Sequence, residues 1–274
     1  MSPDSWPTLD AVEAALRRAT ERASRRPFVL GLCGAQGSGK STLSDRLAAR
    51  LRESGLTTAQ LSIDDLYLTR AEREALAREV HPLFRTRGVP GTHDVALGLD
   101  LFATLDRSRP APLPRFDKAA DDRAPRERWQ QADAGTQLLI FEGWCVGAHP
   151  QVADELVEPV NDLERDEDPA AIWRRYANDA LASSYQQLFA RIDLLVLLAA
   201  PSFDVVRSWR IEQEHDLRRK SDRGAAGLMT DERVGRFIQY YERLSRHILA
   251  EMPTRADLVL RLGEDRSLHA VESN

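Results

Sequence analysis

Eight consecutive residues, Gly34-Ala35-Gln36-Gly37-Ser38-Gly39-Lys40-Ser41, match G-x-x-x-x-G-K-[ST] at every fixed position. Glycines let a backbone wrap tightly enough for its N–H groups to converge on phosphate oxygens. Lys40 adds a mobile positive charge, the helix beyond adds its positive end, and Ser41 offers a hydroxyl to Mg2+. With Thr42 included, the stretch is expected to hold the phosphates of a nucleotide. A glycine-rich turn that matches by chance is the competing reading, and the context opposes it. A β-type apolar run at 28–33 precedes the loop, and Leu43, Leu47 and Leu51 follow at helical spacing before Gly55 closes the pattern.

Acidic residues stand at two further strand ends. The run 57–63 stops abruptly at Asp64-Asp65, and the run 137–141 stops at Glu142. Strand ends beside a phosphate loop are where parallel α/β proteins place their chemistry. Glu142 has the setting of a carboxylate that orders Mg2+ and its waters, with Ser41 and Asp64 as the other metal candidates. Asp64 could take the proton of an acceptor hydroxyl or mainly orient it; alternatively Asp64 or Asp65 only caps the next helix. A basic helix after Pro201 brings Arg207, Arg210 and Arg218, which read as cations of a lid over the phosphates, with Arg210 in the catalytic role beside Lys40 and Asp64. Their competing reading is a solvated helix face with i,i+4 pairs. Asp65, Tyr67, His93, Asp94, Arg115, Asp117, Lys118 and Trp144 are assigned to an acceptor pocket, whose clustered cations suit an anionic acceptor. No N-K-x-D guanine-reading element and no L-S-G-G-Q-like transporter signature is present, which favours a small-molecule kinase using ATP and Mg2+; the alternatives are a kinase for another acceptor (uridine, pantothenate or a sugar phosphate) and a nucleotide-binding regulator without transfer activity.

The elements that must position these groups follow from periodicity. Helices are expected over 8–24, after Leu43, over 70–79 behind a Thr69–Glu72 capping box, over 94–107, from an Asp168 N-cap and Pro169 to about 191 with Ile172 and Tyr176 inward, after Pro201, and from Thr230 to 251. Interleaved strands at 28–33, 57–63, 137–141, 193–198 and 257–262 predict a five-stranded, mainly parallel sheet in a three-layer α/β/α fold. One domain over 1–274 is expected. A proline-rich insertion at about 81–136 reads as the acceptor-binding region and 207–228 as the lid.

Bulk properties narrow the class. The 274 residues are 42% hydrophobic and 30% charged with a formal net charge of -5, an ordinary globular composition that gives no sign of a nucleic-acid surface. No apolar run reaches membrane-spanning length, and the N-terminus lacks the order of a signal peptide, so no membrane partner and a cytosolic setting are expected. Two cysteines, Cys33 and Cys145, are too few for a disulfide framework. The aromatics fall where a monomer would bury them.

The motifs GAQGSGKSTL, SIDDLYLT, GTHD, PRFDKAADDR, EGWCVGA, WRIEQE and GLMTDERVGRFIQYYERL, in that order, resemble the D-glycerate 3-kinase family, which is similar to uridine kinase, phosphoribulokinase and pantothenate kinase. The resemblance spans 28–262. It implies a P-loop kinase that converts MgATP and D-glycerate to ADP and 3-phosphoglycerate. It also implies Lys40 and Ser41 on phosphate and magnesium, Asp64 as base, Glu142 in the Walker B place and Arg210 in the lid. By the strand order of that group, Cys33 and Cys145 end near each other beside the P-loop.

Overall fold

The computed structural model describes residues 6–21, 27–220 and 230–274, without the side chains of residues 214 and 216–220. Six strands form the central sheet: β1 Phe28–Gly34, β2 Thr58–Ser62, β3 Leu138–Gly143, β4 Leu194–Ala199, β5 Leu258–Leu262 and β6 Leu268–Ser273. Their order is β6-β5-β4-β1-β3-β2. The first five run parallel, and β6 returns antiparallel to β5. Every residue of β1, β3 and β4 is buried, as happens when helices cover both faces of a sheet.

The sixth strand corrects the expected five. Leu268–Ser273 is mostly exposed and half polar, so it carries no buried-strand pattern. It is held by pairing to β5 and by Arg261, whose Nε and Nη2 each lie 3.0 Å from the Glu272 carboxylate.

The helices are α1 Pro7–Thr20, α2 Lys40–Glu53, α3 Arg70–Glu79, α4 Val95–Asp106, α5 Asp162–Glu167, α6 Ile172–Ala180, α7 Gln186–Phe189, α8 Phe203–Lys220 and α9 Asp231–Glu251. The capping box is present as expected: Thr69 and Glu72 exchange side-chain and backbone bonds at the start of α3. Asp94 and Thr230 cap α4 and α9 through their side chains. The expected end of α1 near residue 24 lies outside the described residues.

The single helix expected from 168 to 191 is two helices joined by a π turn at Leu181–Tyr185. Asp168 is not its N-cap. The carboxylate reaches forward to the N–H groups of Trp173 at 2.9 Å and Arg174 at 3.1 Å, while Ala171 turns left-handed at φ 59° to start α6. Ile172 and Tyr176, expected inward, are instead exposed.

The insertion is ordered. Beyond α4 it contains two short antiparallel ribbons, Ala111–Leu113 with Gln130–Ala132 and Phe116–Asp117 with Asp122–Arg123. Arg73 of α3, only 1% exposed, fastens it to the sheet domain. Its guanidinium donates to the carbonyls of Leu68, Arg85 and Asp121 and pairs with the Asp121 carboxylate at 3.0 Å. No helix among the described residues is long and apolar enough to cross a membrane.

Candidate active site

The parallel register brings the predicted chemistry together at the C-terminal ends of the central strands. Glu142 of β3 lies opposite Leu32 of β1 and Ser62 of β2, just before β1 runs into the P-loop at Gly34. Gly37 and Gly39 take φ of 79° and 86°, a left-handed region open to glycine without steric cost. Gly39 then starts α2 at Lys40. At Gly37 there is a second constraint: a Cβ would stand 2.6 Å from Cβ of Trp209. Helix α8 therefore lies directly against the loop. Arg266, in the β5–β6 turn, donates through Nε to the Gly37 carbonyl at 2.8 Å and through Nη2 to Glu212 of α8 at 2.6 Å.

A cleft of about 270 Å³ opens above the loop. Gln36, Gly37, Lys40 and Ser41 form one end, with Asp64 and Glu142 at the strand ends and Arg210 on the α8 side. Ser62, Tyr67, Arg87, Lys118, Trp144, Gln213, Phe237 and Tyr241 form the rest. Asp64 faces into it from a tight turn at Ile63–Leu66. Its Oδ1 accepts from the Tyr67 hydroxyl at 2.9 Å and its Oδ2 from Lys118 Nζ at 2.7 Å. Burial alone would raise the Asp64 pKa, but the Lys118 ammonium, helped by Lys40, overrides it and holds the carboxyl at about 2. Lys118 is raised in return, chiefly by the Asp64 charge.

Glu142 shows the opposite balance. Burial raises its pKa and the Asp64 charge adds to that, against the opposing Lys40 charge. The Ser41 hydroxyl donates to Oε1 at 3.1 Å, while Oε2 is buried with no hydrogen bond of normal length among the described residues. A hydroxyl beside an underused buried carboxylate oxygen suits a divalent cation. Among the described residues no cluster of three or more His, Cys, Asp or Glu could cage a metal. The fit is thus to Mg2+, which takes most of its ligands from phosphate and water. Both Asp64 oxygens are engaged, one by an ammonium, whereas Ser41 and Glu142 are the side chains placed to hold such an ion.

Several residues assigned to the acceptor pocket stand elsewhere. His93 lies behind Tyr67, its ring stacked at 4.5 Å and its Nδ1 2.6 Å from the Tyr185 hydroxyl. Burial lowers its pKa to about 4. Asp94 caps α4 and pairs with Arg123 at 3.1 Å. Asp117 accepts from the N–H groups of Ala119 and Ala120, shaping the turn that presents Lys118. Asp65 grips Arg115 Nη1 at 2.9 Å and the Phe116 N–H at 3.1 Å. That pair ties the insertion to β2 and lines a neighbouring hollow on the Ser41–Glu142 side. These four are short acidic or imidazole side chains in loops, and such groups serve local backbone N–H groups as readily as ligands.

Of the lid residues, Arg210 lines the cleft with its guanidinium 5.8 Å from the Phe237 ring centre. Arg207 is exposed and does not line it. The Arg218 side chain and residues 221–228 of the expected lid lie outside the described residues. Cys33 and Cys145 are both buried, on and just beyond neighbouring strands β1 and β3. Burial pushes the Cys33 thiol up to about 12 and that of Cys145 well above its ordinary value, so both pack as protonated thiols.

Arg87 is the main cleft residue that sequence reasoning missed, and Phe237 and Tyr241 of α9 join it there. Arg87 pairs with Asp121 and lies over the Phe116 ring at 5.3 Å. Gly88 beside it takes φ 146°, and a Cβ there would stand 2.4 Å from the Tyr241 hydroxyl.

Comparison with known proteins agrees with this geometry. Residues 29–164 match the phosphoribulokinase/uridine kinase family. The chain is 37% identical over 226 residues to the uncharacterized kinase mug58 of Schizosaccharomyces pombe, covering 79% of each. It is 28% identical over 256 residues to the chloroplastic D-glycerate 3-kinase of Arabidopsis thaliana, covering 88% of this chain and 54% of that protein. The solved D-glycerate 3-kinase from Cryptococcus neoformans superposes with a TM-score of 0.79 at 28% identity, covering 97% of this chain and 98% of that one.

Proposed function

This chain belongs to the D-glycerate 3-kinase family of phosphoribulokinase/uridine kinase-like P-loop kinases, and from that premise we propose that it transfers the γ-phosphate of ATP to a hydroxyl of D-glycerate, giving 3-phosphoglycerate and ADP. The observation that carries the reading is the placement of Asp64 between two cationic ends of one cleft, Lys40 on the P-loop side and Lys118 with Arg87 on the other.

Phosphoryl transfer needs positioning and charge stabilisation more than covalent help. The P-loop N–H groups and Lys40 hold the phosphates, and Arg210 meets charge that develops on the transferred group. Mg2+, held at Ser41 and Glu142, would neutralise phosphate charge. Lys118 and Arg87 receive the carboxylate of the acceptor, a preference that a neutral nucleoside would not satisfy. Asp64, ionised at all ordinary pH, orients the acceptor hydroxyl and receives its proton as the new P–O bond forms. Tyr67, Trp144 and Tyr241 wall the site with aromatic faces that keep out water. A cytosolic setting fits two cysteines kept as buried thiols.

The test is an acceptor panel of hydroxy acids, nucleosides, pantothenate and ribulose phosphate, with products identified by phosphorus NMR. D-Glycerate should turn over best and give 3-phosphoglycerate. Turnover only with a nucleoside or pantothenate would remove the glycerate assignment and leave a kinase. ATP binding without transfer to any acceptor would point to a regulator instead.

A further inference from the structure

Resting on the kinase reading above, we propose that Lys118 gates Asp64: without acceptor its ammonium occupies the carboxylate and suppresses transfer to water, and an anionic acceptor draws it away.

The two partners of Asp64 differ in how firmly they are held. Tyr67 is 2% exposed, stacked on His93, and its hydroxyl on Oδ1 is thereby fixed. Lys118 sits at the tip of the short Phe116–Asp117 and Asp122–Arg123 ribbon with its side chain 63% exposed. A long, flexible side chain on such a tip exchanges partners readily once a second anion is offered. Arg87 lines the same cleft but is anchored by Asp121 and Phe116. A carboxylate entering beside Arg87 therefore finds one fixed cation and one that can swing to it. As Lys118 leaves, Oδ2 becomes free to accept from the acceptor hydroxyl.

The same bonds change in transfer and in hydrolysis. The attacking oxygen bonds to the γ-phosphorus, the bond from that phosphorus to the bridging oxygen breaks, and ADP leaves with the electron pair. The proton of the attacking O–H goes to Asp64. Water has no charge with which to displace Lys118 from Oδ2, whereas an anionic acceptor brings Lys118 a replacement partner. The gate thus favours transfer over waste of ATP.

The experiment measures ATP hydrolysis without acceptor in the wild-type chain, Lys118→Met and Lys118→Arg, with and without propionate, a carboxylate that has no hydroxyl to phosphorylate. Wild type and Lys118→Arg should hydrolyse slowly, and propionate should stimulate the wild type. Lys118→Met should hydrolyse about tenfold faster, the scale of one charge-assisted hydrogen bond, and should ignore propionate. It should also raise the KM for the hydroxy acid more than it changes kcat. Equal or slower hydrolysis in Lys118→Met, or no effect of propionate on the wild type, would overturn the gate. The hydrolysis arms, with and without propionate, need no phosphorylated acceptor, so they stand apart from the panel that tests the function. Thermal melts of both variants check that the exposed substitution leaves the fold intact.

Discussion

Arg266 donates to the carbonyl of Gly37 at 2.8 Å across 229 positions of sequence, and the same guanidinium binds Glu212 and lies 5.3 Å from the Trp209 ring centre. The turn that makes β6 possible therefore pins the phosphate loop and the lid helix together. Arg266→Gln should raise the KM for ATP by roughly tenfold, the value of one hydrogen bond from a charged donor, with kcat changed much less. Steady-state kinetics with varied ATP checks this. An unchanged KM would show that the loop holds its shape without the clamp.

Lys40→Ala and Asp64→Asn probe the two ends of the transfer step. Each should lower kcat/KM by about 10²–10³ or more, because each removes a group placed at developing charge or at the reacting hydroxyl. Neither should move the melting temperature by more than a few degrees, since both residues line an open cleft rather than the core. Asp64→Asn keeps an oxygen for the Tyr67 hydroxyl, which makes a purely structural loss distinguishable.

The P-loop and the α3 capping box were legible because each is a rule that operates within about eight residues of chain. β1, β3 and β4 were legible because burial on both faces leaves a near-continuous apolar run; β2 and β5, which contain Gln60 and Arg261, keep enough buried apolar positions to be legible as strands. β6 was not, since an edge strand with one bonded neighbour needs no such run, and Leu268–Ser273 mixes charged and small residues. Asp64, Tyr67, Lys118 and Trp144 line the cleft, but His93, Asp94 and Asp117 were not separable from them by residue type. What separates them is which loop folds over which. Arg87 lines the cleft beside Gly88, which lets Tyr241 approach, with its guanidinium held by Asp121, 34 positions later. No local pattern encodes a contact of that range.

Glu164 offers a test of the frame that carries α9 to the cleft. Its carboxylate is fully buried and binds Arg243 at 2.7 and 2.8 Å, while that arginine also donates to the carbonyls of Glu155 and Glu158. Arg174, equally buried, pairs with Asp168 at 2.9 Å beside it. Glu164→Gln removes one negative charge from a balanced buried set and leaves a guanidinium uncompensated, which costs about 3–5 kcal/mol. Thermal melts should fall by on the order of 10 °C for a chain of this size. Because α9 presents Phe237 and Tyr241, activity should fade at lower temperature too. A loss below about 1 kcal/mol would mean that water enters the network.

His93 makes the stability of the chain depend on pH in a direction that can be worked out. Its ring is 5% exposed, Nδ1 meets the Tyr185 hydroxyl, and Nε2 is buried without a hydrogen bond. Burial lowers the pKa from 6.5 to about 4. Between those values the unfolded chain binds a proton that the folded chain does not, so stability rises with pH and is lost as pH falls from about 6.5 toward 4. The full difference is on the order of 3 kcal/mol. Asparagine can keep a bond to Tyr185 but cannot take up the proton, so His93→Asn should flatten this limb when urea unfolding is measured from pH 7 to pH 4. A smaller slope should remain from His149, whose pKa burial also lowers. If the wild type and His93→Asn lose stability in parallel over that range, the imidazole is protonated in the folded chain and the stack against Tyr67 carries a charge.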